Sequence, residues 1–300
     1  MFYSIPVRLL QFFGLLPLEF GDRNVSLSKK WFNWSKIVSL FLVLIIVRRT
    51  HITILNYSDI YSGSFLYKKL AYIENYYSGT LYFCVIVTNC YKPNVLTQKK
   101  IFNILFHEFE ITKNHSKGVL FIFQTLGFAT IFLTTNWSIF HFVIQNLDTA
   151  AQEEELTYGL LQSIFLMFII HKLCLCLKLI RDELYLLEKT LSNLSHKKLR
   201  WNNFQKLHQI TKVLNKFEKL HKPTICLLLM NVFVDLVYAI KGLQNIIDFY
   251  TKNKYDMELI NLIVLCIWSM HYMPPVIWLI HMREQINTKV KIFPVSQKWD

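Results

Sequence analysis

Residues 118–147, GVLFIFQTLGFATIFLTTNWSIFHFVIQNL, form a stretch of thirty residues that contains no Asp, Glu, Lys or Arg. A transmembrane helix needs about 20 mostly apolar residues, so this stretch is long enough to cross a bilayer with a tilt or to extend beyond it. The stretch therefore predicts a membrane protein.

The composition of the whole chain agrees with a membrane protein. Hydrophobic residues make up 53% of the 300 residues and charged residues only 18%, whereas a soluble domain carries about 25% charged residues. The net charge of +13 arises from lysines and arginines that lie between apolar stretches. A nucleic-acid partner would require a basic face on a folded soluble module, so we expect none.

The apolar stretches predict an all-α, polytopic transmembrane helical bundle with six spans. The spans are residues 31–47, 76–91, 118–147, 156–180, 223–247 and 259–280. We expect span five to begin at Pro223, a favoured first helical position, and span six to kink at Pro274-Pro275. The predicted segments are 1–30 (cytoplasmic N-terminus), 31–180 (spans one to four), 181–222 (cytoplasmic helical loop), 223–282 (spans five and six) and 283–300 (cytoplasmic tail).

The distribution of positive charge predicts that the N-terminus is cytoplasmic. With this orientation, the cytoplasmic segments and the inner ends of the spans hold 26 of the 33 lysines and arginines, as the positive-inside rule requires. Arg48 and Arg49 lie at the outer end of span one and are exceptions to this rule. A longer first helix or snorkelling of their side chains would accommodate them. Of six Asn-x-Ser sequons, only Asn56 falls in an outer loop, so it is the glycosylation candidate.

The loop 181–222 predicts two amphipathic helices. Apolar residues recur there in steps of three and four, at Leu184, Leu187, Leu191 and Leu194, and again at Phe204, Leu207, Ile210, Leu214, Phe217 and Leu220. We expect span four to continue into the cytoplasm, turn at about residues 195–198, and return as a helix that leads into span five. The apolar stripes would pack against each other within one subunit, form a subunit interface, or do both.

The chain lacks the motifs of common enzymes. It contains no GxSxG, HExxH, P-loop or glycine-rich dinucleotide turn, and Cys174 and Cys176, two residues apart on a helix, would point in different directions. Asp235 is the only acidic residue within the predicted spans, so an aspartyl dyad cannot form within one chain. We therefore expect no enzymatic activity, no cofactor and no metal.

Polar residues within membrane spans default to functional hypotheses. Candidates for binding a small organic ligand are Asn136, Trp137, His141, Gln162, Asp235, Tyr238, Lys241, Trp268 and His271. Asp235 and Lys241 are six residues apart and lie on different helix faces, whereas His271 lies at a similar depth and is the candidate partner of Asp235. The alternative is that each residue forms an interhelical hydrogen bond or is an interfacial aromatic.

Several stretches together resemble the insect gustatory receptors, a family of the insect chemoreceptor superfamily. They are RLLQFFGLLPLEF at residues 8–20, the helical loop that runs through NNFQKLHQITKVLNKFEKLHKP into span five, and HYMPPVIWLIHMREQINTK at residues 271–289. The resemblance extends over nearly the whole chain and is diffuse. It implies a ligand-gated cation channel of tetrameric assembly, homomeric or heteromeric, in the plasma membrane of sensory-neuron dendrites, which detects a small-molecule tastant.

The sequence departs from this family at its end. The family's signature in span seven is Thr-Tyr, five apolar residues and Gln-Phe, whereas the chain stops at Asp300, and the nearest echo, Thr157-Tyr158, lies in span four. Since the resemblance assigns the pore to the seventh helix, it gives no support for conduction by this polypeptide alone. The sequence is compatible with a truncated gene model, a splice form, a decayed gene or an unusual short member.

Two other functions compete with a gustatory receptor. An insect odorant receptor belongs to the same superfamily with the same polarity and would differ in ligand and co-receptor. A six-span transporter would show matching helix breaks in two repeats, and span three has no break that matches the prolines of span six. A G-protein-coupled receptor would need its N-terminus outside, against the charge distribution.

The N-terminal stretch 8–20 is too short to span a membrane and has no small-residue cleavage site. We expect a retained cytoplasmic segment whose apolar face lies against the inner membrane surface or the helical bundle.

Overall fold

The computed structural model describes residues 4–21, 24–55, 65–105, 150–192, 197–251 and 273–295. These residues are mostly helical, so the all-α class is confirmed. The elements in chain order are α1 (Ser4–Phe12), β1 (Leu18–Phe20), β2 (Val25–Leu27), α2 (Lys29–Leu55), α3 (Phe65–Cys90), α4 (Lys92–Asn103), α5 (Ala150–Ser192), α6 (Lys197–Thr251) and α7 (Met273–Val295).

The N-terminal stretch folds back on itself. Helix α1 ends in a Schellman motif: the N–H of Gly14 donates to the carbonyl of Gln11 at 3.0 Å and the N–H of Leu15 to that of Leu10 at 2.8 Å. Gly14 has a φ of 68°, a conformation that a residue with a Cβ rarely adopts. The turn directs the chain into β1, which pairs antiparallel with β2. This short ladder is an addition to the all-α prediction.

The bundle buries the apolar side of this stretch. Leu10, Leu15 and Leu16 are at most 2% exposed, and the ring of Phe13 stacks on Phe168 of α5 with centroids 3.8 Å apart. Of the two surfaces considered for the predicted apolar face, the structure shows contact with the helical bundle.

Helices α2 and α3 contain predicted spans one and two and extend beyond them. Helix α2 continues through Arg48 and Arg49 to Leu55, which agrees with the longer first helix considered for these two arginines. Helix α3 begins eleven residues before the predicted span. After a bend at Tyr91, the short helix α4 starts with Pro93 in its first turn, where a missing N–H has little cost.

The two long helices α5 and α6 form the predicted helical hairpin. Helix α5 continues beyond predicted span four to Ser192, and α6 runs from Lys197 to Thr251. The prediction that span five begins a helix at Pro223 is wrong, because Pro223 lies inside α6. The proline removes one backbone hydrogen bond, and the helix continues across it, with the buried side chains of His221 and Thr224 on either side of Pro223.

Helix α7 begins at Met273 and continues past the predicted end of span six. Pro274 and Pro275 are the second and third described residues of this helix. The expected kink in span six involves residues before Met273, which lie outside the described part of the chain, as does the whole of predicted span three.

The core is formed mainly by pairs of helices. Helix α6 packs chiefly against α3, α5 against α7, and α2 against α3 and α5. The predicted apolar stripes face this interior: Leu184 and Leu187 of α5, and Leu207, Ile210, Leu214 and Phe217 of α6, are all buried. Packing within one subunit therefore accounts for these residues, and a subunit interface stays a prediction.

Helix α2 has the length and composition of a membrane span. Among the described residues, the stretch Lys29–Ile52 is the one that meets both criteria, and 22% of its most apolar window is buried inside the bundle. Ile37, Leu40, Leu44 and Val47 are each about 60% exposed. A large apolar surface of this kind is unusual on a soluble protein.

Candidate functional site

The structure describes part of the predicted ligand-binding set. Asp235, Tyr238 and Lys241 lie on α6, where the helical backbone places Asp235 and Lys241 on different faces, as expected from their spacing. The remaining candidates outside the described residues are Asn136, Trp137, His141, Trp268, His271 and the sequon residue Asn56. Their roles stay predictions.

Gln162 is the predicted ligand-binding residue whose surroundings the structure shows. It is buried on α5, and its side-chain oxygen accepts a hydrogen bond from Arg49 of α2. The hydroxyl of Tyr82 on α3 donates to the backbone carbonyl of Gln162 at 2.5 Å. Gln162 therefore joins three helices, and the half-buried Arg49 provides the side-chain contact from α2.

A second polar group, which the sequence analysis did not single out, surrounds Lys172 of α5. Its ammonium donates to the side-chain oxygen of Asn89 at 2.7 Å and to that of Gln98 at 3.0 Å. Gln98 in turn donates to the backbone carbonyl of Thr88 at 2.8 Å. These bonds connect α3, α4 and α5 around one buried positive charge.

Two residues of α6 complete this group. His221 and Thr224 are both buried and line a small cavity together with Lys172 and Asn89. The cavity has room for about one water molecule. We call Asn89, Gln98, Lys172, His221 and Thr224 the Lys172 cluster.

The Lys172 cluster keeps His221 neutral. Burial, and then the positive charge of Lys172, hold the pKa of His221 well below its usual value. A neutral imidazole has one donor nitrogen and one acceptor nitrogen, so His221 can accept a hydrogen bond from a group in the cavity.

The N-terminal segment closes one side of the Lys172 cluster. Leu15, the residue after the Gly14 turn, lines the same cavity. Gln11 donates to the backbone carbonyl of Leu18 at 2.5 Å, which holds the turn and β1 together. Residues 8–20, the stretch on which the resemblance partly rests, therefore contribute to the wall of this cavity.

A sequence signal for the Lys172 cluster does exist. Lys172 is a charged residue within predicted span four, and such a residue is expected to pair with polar groups in the interior. The sequence does not identify those groups, because Asn89 and Gln98 lie 83 and 74 residues away along the chain.

The described side chains offer hydrogen bonding and charge, not metal ligation. Within the ranges that the structure describes, no three His, Cys, Asp or Glu side chains are grouped so that they could hold a metal ion. The Lys172 cluster and the Gln162 contacts can bind polar groups and fix helices relative to one another.

Comparison with known proteins adds no family assignment. No family model matches the chain, and no curated protein matches it significantly.

Proposed function

We propose that this protein is a multi-pass membrane receptor of the insect gustatory-receptor type, which responds to a small-molecule tastant at the plasma membrane. The observation that carries the proposal is the uncovered apolar surface of α2, which fits contact with lipid hydrocarbon. In this proposal six spans cross the membrane, the N-terminus is cytoplasmic, and subunits assemble as a homo- or hetero-tetramer.

The lengths of the helices support this arrangement. At 1.5 Å per residue, the 55 residues of α6 extend about 80 Å, well over twice the hydrocarbon thickness of about 30 Å. Helix α6 would therefore cross the membrane with its C-terminal half and reach far into the cytoplasm with its N-terminal half. The ion pair between Arg283 and Glu218, at 2.7 Å, then lies in the cytoplasmic part of the bundle.

The N-terminal segment also supports the proposal. The stretch that resembles the gustatory receptors is part of the folded bundle, and its turn at Gly14 fits closely against Ser35 and Val38 of α2. A secretory signal peptide is removed from the mature protein, so it would not contribute to the packing of the folded bundle.

The outer half of the bundle is the proposed ligand-binding region. Gln162 and Arg49 are two polar side chains that contact each other there, and pockets for organic ligands combine a few such groups with aromatic residues. Asp235, Tyr238, Lys241, Asn136, Trp137, His141, Trp268 and His271 are the further residues proposed to contribute.

A ligand-induced shift in thermal unfolding tests the proposal. The full chain, purified in lipid nanodiscs, would be heated with sucrose, with caffeine and with a panel of other sugars and plant alkaloids. A ligand at 100 times its dissociation constant stabilises the folded protein by about 2.7 kcal/mol, so we expect at least one compound to raise the unfolding temperature. The variant Gln162→Leu should lose the shift, whereas Gln205→Leu, at an exposed position on α6, should keep it.

Two results would contradict the proposal. Release of the chain from membranes by alkaline carbonate would exclude a multi-pass protein. A shift that Gln162→Leu and Gln205→Leu retain equally would exclude the proposed binding region.

A further inference from the structure

The buried side of α6 carries three polar residues, His221, Thr224 and Asn231, with the apolar Leu228 between the last two. These four residues follow one another in steps of three, four and three, and all are at most 4% exposed. Steps of three and four keep residues on one face of a helix.

Lys172 of α5, which lines the cavity beside His221 and Thr224, has an N–H group that needs a further acceptor. The ammonium of Lys172 has three N–H donors, and within the described part of the chain its partners are the side-chain oxygens of Asn89 and Gln98. The third donor needs another acceptor, and Lys172 lines the cavity that has room for about one water molecule.

A second polar atom on the same face of α6 also needs a partner. The side-chain oxygen of Asn231 is buried and has no hydrogen-bond partner among the described residues. Burying a polar atom without a hydrogen bond is costly, so such atoms in folded proteins are as a rule satisfied by protein groups or by ordered water. Thr224 and Asn231 are about 10 Å apart along the helix axis, at 1.5 Å per residue.

We propose that the buried face of α6 binds internal water along a track that starts at the cavity between Lys172, His221 and Thr224 and continues to the side chain of Asn231. The first water accepts a hydrogen bond from Lys172 and can donate to the neutral ring of His221. A further water donates to the side-chain oxygen of Asn231. The proposal requires the helical bundle but no tastant, so its test is independent of the proposed function.

The track would give the bundle a hydrated interior in a segment that is otherwise apolar. Leu228 lies between Thr224 and Asn231 and is fully buried, so it is a sensitive position at which to detect water. A dry interior would leave it as protected as any other buried leucine.

Radiolytic hydroxyl labelling tests the track. Short X-ray pulses convert bound water to hydroxyl radicals, which oxidise adjacent side chains, and mass spectrometry locates the oxidation. In the full chain in lipid nanodiscs, after correction for intrinsic reactivity, we expect His221 to be oxidised at least about threefold faster than Phe102, which is equally buried and does not line the cavity. Leu228 should likewise be oxidised faster than Leu184, another fully buried leucine.

Matched variants attribute the labelling to the polar groups. Thr224→Val keeps the shape and removes a hydroxyl, and should reduce the oxidation of His221, whereas Thr211→Val on the same helix should not change it. Asn231→Leu should reduce the oxidation of Leu228 to the rate of Leu184.

Two outcomes would overturn the proposal. Oxidation of His221 no faster than that of Phe102 in the unmodified chain would show that the cavity is dry. Rapid oxidation of His221 with Leu228 as protected as Leu184 would show that water does not continue along α6.

Discussion

Lys172 is a buried charge that depends on two amide side chains. Its ammonium is held by Asn89 and Gln98, which lie on different helices. Hydrogen bonds to a charged group contribute about 1.5–3 kcal/mol each, and removal of one partner leaves part of the charge uncompensated. The Lys172 cluster is therefore expected to be sensitive to substitution of either amide.

A double-mutant cycle measures this dependence. Gln98→Leu should lower the free energy of unfolding by about 2–3 kcal/mol, because the ammonium loses an acceptor in the interior. In the background of Lys172→Met the same substitution should cost less by at least about 1 kcal/mol, since no charge remains to be satisfied. The measurement is denaturant-induced unfolding in detergent micelles.

A control for this cycle lies on the same helix. Lys100→Leu, at an exposed position of α4, should change the free energy of unfolding by less than about 0.5 kcal/mol. Additive effects of Gln98→Leu and Lys172→Met would contradict the assigned interaction.

Glu183 of α5 is a buried acidic residue in the segment beyond predicted span four. Burial raises the pKa of its carboxyl to about 8, although the charge of Lys206 acts in the opposite direction. Between about pH 4.5 and pH 8 the folded protein therefore binds more protons at this group than the unfolded chain does.

This pKa predicts a stability that falls as the pH rises. Glu183 should contribute a slope of up to about 1.4 kcal/mol per pH unit between about pH 5 and pH 8, with the folded protein more stable at the acidic end. Glu183→Gln should remove this slope and stabilise the protein at pH 8, as measured by unfolding at several pH values. An unchanged slope in the variant would contradict the assignment.

At the scale of elements, the turn at Gly14 fixes the N-terminal segment against α2. A Cβ at this position would come within 2.9 Å of the Cβ of Val38, and the backbone φ of 68° is unfavourable for any residue with a Cβ. Gly79 of α3 provides a contrast, because a Cβ there would meet Ile46 at 3.5 Å, an ordinary contact distance.

Two glycine-to-alanine substitutions test this difference. Gly14→Ala should destabilise the folded protein by about 1–3 kcal/mol through backbone strain and the close contact, with faster proteolysis of the N-terminal segment. Gly79→Ala should be neutral or stabilising by up to about 1 kcal/mol, because alanine is the better helix former. Equal effects of the two substitutions would contradict the close fit of the turn.

The sequence predicted the helical hairpin of α5 and α6 because regular steps of apolar residues, such as Leu207, Ile210 and Leu214, repeat with the helical period. It did not predict the helix ends, since charged residues such as Arg48 and Lys68 interrupt an apolar run without interrupting a helix. The ladder of β1 and β2 was not predicted either, because strands of three residues carry little pattern.

The site was less predictable than the helices. Gln162 was recognised as a polar residue within a span, but its contact with Arg49 joins residues 113 positions apart. The Lys172 cluster likewise depends on side chains brought together from three helices by packing. Apolar periodicity identifies which face of a helix is buried, and it does not identify the partner helix.

At the scale of the whole molecule, exposed apolar side chains on predicted spans and the distribution of positive charge both bear on the membrane proposal. Ile37, Leu40 and Leu44 of α2 and Phe233 of α6 are large apolar side chains on the outside of the bundle. The lysines and arginines are concentrated in the segments proposed to be cytoplasmic. A lipid bilayer around the apolar surface would account for both features.

The membrane orientation is the claim on which the proposed receptor most directly depends. Two versions of the protein would each carry one epitope tag. In the first the tag is at the N-terminus, and in the second it lies within residues 56–64, between predicted spans one and two. Both versions would be expressed in full-length form in insect cells and stained with antibody before and after permeabilisation. We predict that the loop tag is stained on intact cells and the N-terminal tag only after permeabilisation; staining of the N-terminal tag on intact cells would contradict the proposed orientation.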